Sequence, residues 1–361
     1  MRQVVCLSGQ FWADVPTRTQ QLMSRMKDAE VLYFAPPAAD GDKSWKAPGR
    51  KLRPGLIAYT LPPAPPAGPP TGFLARWVQS RNIRFLQSRL ERHHFHDPLL
   101  WCSSPGAAAY LDALAYRGLV YDCDRYWPEV PEQWESELTA AADVVFAASP
   151  DLADHLVPCN RNVTLLPNGC NYPMFARDAL PRPKALADLT GPILGWAGTI
   201  WADLELAPLL KAARSHPDCT VVLVGRMEKN PLLPALLAEP NVRFLDFVSP
   251  VELPDYLCNF DVCLSLLRRS HQDDDVLPAR IFEYLSTGKP IVAMLAPDQV
   301  EVFPDVIYSA QSPAEFSLLC TRALDETGSW ARDRRRAYGR AAAWSQRAGE
   351  VNRILESIGL F

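Results

Sequence analysis

Short runs of uninterrupted apolar residues alternate along this chain with stretches whose apolar positions recur at helical spacing. QVVCLS (3–8), VLYF (31–34) and DVVFAAS (143–149) have the make-up of buried strands, PLLWCSSP (98–105) and GLVYDCDRYWPE (118–129) read as strands with their loops, and NVTLLPNGCNYPMF (162–175) ends this first half. Helices are expected between them. One starts near Thr17 with Leu22, Met23 and Met26 on its buried side, one covers 73–95, one covers 132–142, and one is entered at Ser149–Pro150. Residues 36–72 read as loop, because LPPAPPAGPP (61–70) lacks the N–H donors that a helix or central strand needs.

After a polar, proline-bearing stretch at 176–190 the rhythm restarts. PILGWAG (192–198), TVVLVG (220–225), VRFLDFV (242–248) and Val262–Leu267 read as strands, separated by helices at 203–214, 231–238 and 250–258. Pro278 opens a helix with Ile281, Phe282 and Leu285 on one face; Gly288 stops it, and IVAM (291–294) follows as another buried strand. The tail, 331–361, reads as a long helix or helix pair with a stripe of Trp344, Val351, Ile354, Leu355 and Ile358. This alternation predicts an α/β protein made of two successive, doubly wound parallel-sheet halves.

Length and charge narrow the function. A chain of 361 residues is long for one core and ample for two. The net charge of −4 argues against a nucleic-acid binder. No segment approaches the ~20 apolar residues of a membrane span, and MRQVVCLSG leads straight into a strand without a signal peptide's cleavage pattern. Nine cysteines, odd in number and never spaced C-x-x-C, fit free thiols in a reducing cytoplasm. The expectation is a soluble, cytoplasmic protein.

In doubly wound folds chemistry gathers at the carboxyl ends of strands and at helix N-termini, where free N–H groups and the positive dipole end attract phosphate. The stretch 261–294 supplies such a place: strand, the polar loop His271–Asp275, helix, strand. Asp122 and Asp124 stand at another strand's carboxyl end, where a carboxylate can orient or deprotonate a hydroxyl, or act only as a turn-former. Arg226, Arg268, Arg269 and Arg280 can meet phosphate charge or form surface ion pairs. The helix at 73–95 combines Arg76, Arg81, Arg84, Arg89 and Arg92 with Phe73, Trp77 and Phe85, a composition suited to peripheral contact with an anionic membrane or to packing with solvated arginines. His93, His94, His96 and Asp97 lack the spacing of a metal site, and the proline-rich run serves as a spacer or, on composition alone, an SH3-type ligand.

Several of these strings carry a family resemblance. P-x-R-x-x-E-Y-L-x-x-G-K-P-I-V, from Pro278 to Val292, resembles the donor-site helix of GT-B glycosyltransferases, in particular the retaining bacterial family 4-like enzymes that include teichuronic-acid and other cell-surface polysaccharide glycosyltransferases. LPNGCNYPMF (166–175) is similar to the run that closes their N-terminal domain, and the strand in 118–129 to one lining the acceptor side. The resemblance implies a GT-B fold, α/β with two Rossmann-like domains facing a cleft. An acceptor-binding domain would span 1–178 and a nucleotide-sugar donor domain 186–340, with a helix at 341–361 crossing back to the first domain.

It further implies that Glu283 holds the donor ribose and that Asp275, where Glu is usual, faces the transferred sugar. Arg280 and Arg226 would meet the diphosphate beside the Gly198–Thr199 turn, and Phe247 and Val248 would read the base. The family's basic pair after that turn is replaced here by Trp201, Asp203 and Glu205. Asp122 or Asp124 would act catalytically, with Trp12 and Arg18 on the acceptor side. The activity implied is retaining transfer of a sugar from a nucleoside diphosphate-sugar to a hydroxyl of a cell-surface polysaccharide or lipid-linked precursor, with no metal or other cofactor. The D-x-D-like run Asp273–Asp275 does not change this, because such metal motifs follow an early strand in single-nucleotide-domain enzymes. Partners would be the nucleotide-sugar and a saccharide acceptor, at the inner face of the cell membrane. A sugar-nucleotide epimerase and a non-catalytic GT-B subunit binding a saccharide or partner enzyme are the rival readings; Asp275 and the missing basic pair favour the second.

Overall fold

The computed structural model describes residues 2–64, 73–178, 180–266, 276–295, 299 and 302–361. Its backbone divides into two units, Met1–Pro167 with Arg347–Phe361, and Asn168–Gln346.

The first unit is organised by β1 (Arg2–Leu7), whose Val4, Val5 and Cys6 are fully buried because helices or loops cover both faces of a parallel sheet. The remaining strands are β2 (Ala29–Pro37), β3 (Arg50–Arg53), β4 (Leu56–Leu61), β5 (Leu99–Cys102), β6 (Gly118–Cys123), β7 (Val144–Ala147) and β8 (Val163–Leu165). They lie in the order β3-β4-β2-β1-β5-β6-β7-β8, parallel except for β3 against β4. The chain winds outward one way from β1 and then the other, so a topological switch point falls between β1 and β5, where such sheets take ligands. Helices α1 (Arg18–Met23), α2 (Phe73–Arg92), α3 (Glu132–Ala141) and α4 (Pro150–Leu156) connect the strands. Thr17 and Gln20 close a capping box at the start of α1, which fixes Arg18 at its first position.

The reading of 36–72 as loop is corrected here: β3 and β4 lie within it. In β4, Leu56, Tyr59 and Leu61 are buried against β2, and Gly55 at φ 75° turns the chain from β3. Residues 65–72, most of the proline-rich run, lie outside the described residues. The chain's last helix, Trp344–Ser357, ends in this unit. Arg2 pairs with Glu356 at 2.8 Å and lies over the Phe361 ring, and Leu360 fills the space beside Gly118.

The second unit is a parallel sheet of β9 (Ile193–Ile200), β10 (Thr220–Met227), β11 (Val242–Leu245), β12 (Val262–Ser265), β13 (Ile291–Met294) and β14 (Tyr308–Ala310). Its order is β11-β10-β9-β12-β13-β14, with the switch point between β9 and β12. Helices α5 (Tyr172–Phe175), α6 (Ala207–Ser215), α7 (Leu233–Leu237), α8 (Leu253–Leu257) and α9 (Ala279–Thr287) flank it, followed by Pro313–Leu324 and Trp330–Ala341. Ile281, Phe282 and Leu285 of α9 are buried, and Gly288 at φ 78° ends the helix in the left-handed region.

The division between units falls at Pro167 rather than after residue 178. Cys170 N–H donates to the Ala342 carbonyl at 3.0 Å, Trp344 N–H donates to Cys170 at 2.9 Å, and Phe175 buries in the cluster of Leu257 and Ile281. These contacts hold 168–175 and 341–346 to the second unit.

Candidate active site

In the first unit the carboxyl ends of β1, β5 and β6 close on one another. Gly9 N–H donates to Ser103 Oγ at 3.2 Å, and a Cβ on Gly9 would meet the Trp127 ring and Ser104 at 2.8 and 2.9 Å. Arg18, directed inward by its capped helix, donates from Nε to Asp122 Oδ1 at 2.9 Å, with Nη2 at 2.8 Å from the same oxygen. Both side chains are buried, to 3% and 0% exposure. The pair leaves polar capacity unused: Arg18 Nη1, Asp122 Oδ2, Asp124 Oδ1, Gln10 Oε1 and Trp127 Nε1 are buried without a hydrogen-bond partner among the described residues. Asp124 is half-buried. Burial, then the neighbouring Asp122 carboxylate, pushes its carboxyl up to about 6, against the pull of Arg18 and Arg125. Trp12 packs edge-on against Tyr33, whose hydroxyl lies within hydrogen-bond distance of both Ser8 Oγ and the Gln10 carbonyl.

The structure thus brings Arg18, Asp122 and Asp124 together. Of the two aspartates, only Asp124 keeps a partly exposed side chain. Gln10, Tyr33 and Trp127 join them without having been singled out from sequence. Trp127 follows Asp124 by three positions, and that spacing, aromatic after strand-end acid, was the available signal.

In the second unit Gly198 and Gly225 are register partners on β9 and β10, and Thr199 pairs with Arg226. Gly225 sits at φ 139°, and a Cβ there would run into the Gly198 carbonyl, so the two strand ends meet through bare backbone. The Arg226 guanidinium lies 4.5 Å over the Phe247 ring. The strand expected to reach Val248 stops at Leu245, so Phe247 and Val248 stand on the loop beyond it. Phe247 is exposed, while Val248 packs against the core. A glycine closing a buried strand was the sequence signal for Gly225.

Helix α9 is tied to this edge by Tyr284, whose hydroxyl accepts the Ala197 N–H at 3.0 Å. Its neighbour Glu283 forms an ion pair with Arg280 one turn earlier. Burial raises the Glu283 carboxyl and Arg280 opposes the rise. Asp275, Arg268, Arg269 and the run His271–Asp275 lie outside the described residues, so neither sugar contact nor a metal role there has a structural description. Among the described residues no cluster of His, Cys, Asp and Glu could hold a metal ion. His93 instead shares a 2.7 Å hydrogen bond with the Tyr59 hydroxyl. Nor is any described helix long and apolar enough to cross a membrane.

Comparison with known proteins agrees with this layout. Residues 206–353 match the family model described as glycosyl transferase-like. The chain is 25% identical over 272 residues to TuaH of Bacillus subtilis (strain 168), a protein assigned as a teichuronic acid biosynthesis glycosyltransferase; the alignment covers 68% of each chain. Among solved structures it is similar to a sucrose-phosphate synthase from Thermosynechococcus elongatus, with TM-score 0.74, 16% identity and 99% of both chains covered. It is also similar to a UDP-forming α,α-trehalose-phosphate synthase from Burkholderia vietnamiensis, with TM-score 0.75, 12% identity and coverage of 99% and 97%. Anabaena HepE in complex with UDP and glucose superposes with TM-score 0.70 at 16% identity, covering 99% and 100%. With its two doubly wound parallel-sheet units, the chain has the fold of these GT-B structures, and over residues 206–353 it is similar to the glycosyl transferase-like family.

Proposed function

We propose that the enzyme transfers a sugar, with retention, from a uridine diphosphate-sugar to a hydroxyl of a cell-surface polysaccharide or its lipid-linked precursor, without metal or other cofactor. The observation that carries this reading is the N-terminal half of α9, where Glu283 and Arg280 are paired on a helix anchored to β9 beside the Gly198–Gly225 approach. Glu283 accepts from the ribose hydroxyls. Arg280, Arg226 and backbone N–H groups near Gly198–Thr199 meet the diphosphate and stabilise the charge that develops as it leaves. Phe247 and Val248 flank the base, and Asp275 faces the sugar. Uridine is chosen because HepE is complexed with UDP and the trehalose-phosphate synthase is UDP-forming. TuaH, through its assignment, supports the acceptor class.

Retention follows from front-face attack. The bond from the sugar's anomeric carbon to the β-phosphate oxygen breaks, the bond to the acceptor oxygen forms on the same face, and the acceptor proton passes to the departing phosphate oxygen. Asp124, as its carboxylate, accepts a hydrogen bond from the acceptor hydroxyl and orients it; Arg18 and Asp122 hold the frame around it, and Trp12 flanks it. Peripheral membrane contact through α2 belongs to the same reading, supported by half-exposed Trp77 and exposed Arg84 and Arg92. UDP release from UDP-sugars, with the product anomer read by NMR, tests the proposal. Glu283→Ala should remove most turnover while circular dichroism stays unchanged; undiminished turnover in that variant overturns the donor assignment.

A further inference from the structure

At the opposite end of α9 from its first turn, still within the second unit, lies a cavity of about 650 Å³. The helix has nine residues, so its two ends stand roughly 13 Å apart. The cavity is bounded by Thr287–Pro290, by Cys258, and by Arg332 and Arg336 of the helix Trp330–Ala341. Gly288 makes this possible: a Cβ there would meet Arg332 Cγ at 2.6 Å and Arg336 Nε at 3.1 Å, so the two arginines lie across bare backbone.

The carboxylates lining the cavity are already engaged. Arg336 Nη1 donates to Asp178 Oδ1 at 2.7 Å, Asp261 Oδ2 accepts the Ile193 N–H at 2.7 Å, and Glu326 is held by buried Arg335 and the Tyr308 hydroxyl. The terminal carbonyls of α9, which would repel an anion, are also covered: Arg335 Nη1 donates to Gly288 O at 3.2 Å and Arg336 to Thr287 O at 3.4 Å. The cations are in surplus. Among the described residues Lys289 and Arg177 have no side-chain hydrogen bond or ion pair, and Arg332 has a 3.4 Å contact with Asp333 and acts on Asp178 only at longer range, where Arg336 makes the direct contact. The positive field is felt at the cavity wall, where Lys289, Arg336 and Arg177 all counter the burial that pushes the Cys258 thiol up.

We propose that this cavity is a second anion site, separate from the donor edge, that takes a phosphate group through Lys289, Arg332 and Arg177. Surplus cations around a concave, partly enclosed volume suit a multiply charged oxyanion, which arginine meets with paired N–H donors. The phosphate belongs either to a soluble phosphate ester or to a lipid headgroup.

Calorimetric titration of inorganic pyrophosphate into the full chain, with UDP present in excess, tests the site. One-site binding is expected to persist under UDP and to weaken at least about tenfold in Lys289→Gln/Arg332→Gln, while Glu283→Ala leaves it unchanged. Both substitutions of the double variant fall on side chains without a structural ion pair to an acid of the cavity, so folding is preserved and checked by circular dichroism. In parallel, flotation with phosphatidylcholine vesicles, with and without phosphatidylglycerol, assigns a headgroup if retention needs the anionic lipid and is lost in the double variant. Absence of both pyrophosphate binding and anionic-vesicle retention overturns the proposal, as does either one persisting at full strength in the double variant.

Discussion

Replacing Arg18 by Met should unfold the first unit far more readily than it harms any substrate contact. Among the described residues the Asp122 carboxylate has Arg18 as its side-chain partner, and it is fully buried. Removing the guanidinium leaves a buried charge uncompensated, which costs about 3–5 kcal/mol when one partner of such a pair is deleted. For a unit of this size each kcal/mol lowers the midpoint by ~2–4 °C, so a fall on the order of 6–20 °C is expected. Asp122→Leu added to Arg18→Met should recover much of the loss, since an apolar pair of similar volume is often neutral. Thermal and urea unfolding of the two single variants and the double variant give the coupling directly. A midpoint for Arg18→Met within ~2 °C of the native protein, with a raised KM for acceptor, would show that the pair is not structural.

Other consequences are nearer the chemistry. Asp124 sits at about 6 against an ordinary 3.8, so turnover that needs its carboxylate should rise with pH through about 6, and Asp124→Asn should abolish that limb in a pH–rate profile. Because the folded value is the higher one, this residue's contribution to stability falls as pH climbs from about 4 to about 6, which pH-dependent unfolding can check. Gly225→Ala places a Cβ against the Gly198 carbonyl at a backbone angle that disfavours side chains. It should cost more than ~2 kcal/mol and weaken nucleotide binding, read by unfolding and calorimetry. Tyr284→Phe removes the acceptor of a buried N–H on β9 and should cost about 1–3 kcal/mol in unfolding experiments.

Much of the architecture was legible in the chain because buried parallel strands announce themselves as apolar runs. Val4–Cys6, Val144–Phe146 and Val221–Val224 are such runs, and all are buried. The hairpin of β3 and β4 was hidden because RKLR is an edge strand with charged, exposed positions, set in a stretch dominated by proline and glycine. The backbone divides at Pro167 where hydrogen bonds between Cys170 and both Ala342 and Trp344 join segments far apart in sequence, and no local pattern signals such a pairing. The candidate site divided the same way. Glu283 and Arg280 share a helical turn, so their pairing could be read from spacing. The Arg18–Asp122 ion pair spans more than a hundred residues and depends on the order in which β1 and β6 enter the sheet.

The central claim is that the N-terminal half of α9 binds the nucleotide of the donor, and titration of UDP into native protein and Glu283→Ala, in the presence of EDTA, tests it most directly. Loss of a charge-assisted hydrogen bond to ribose should weaken binding by about 1.5–3 kcal/mol, roughly 10- to 150-fold, with native affinity indifferent to EDTA. Equal UDP affinity in the two proteins, or no UDP binding by the native chain, would contradict the account.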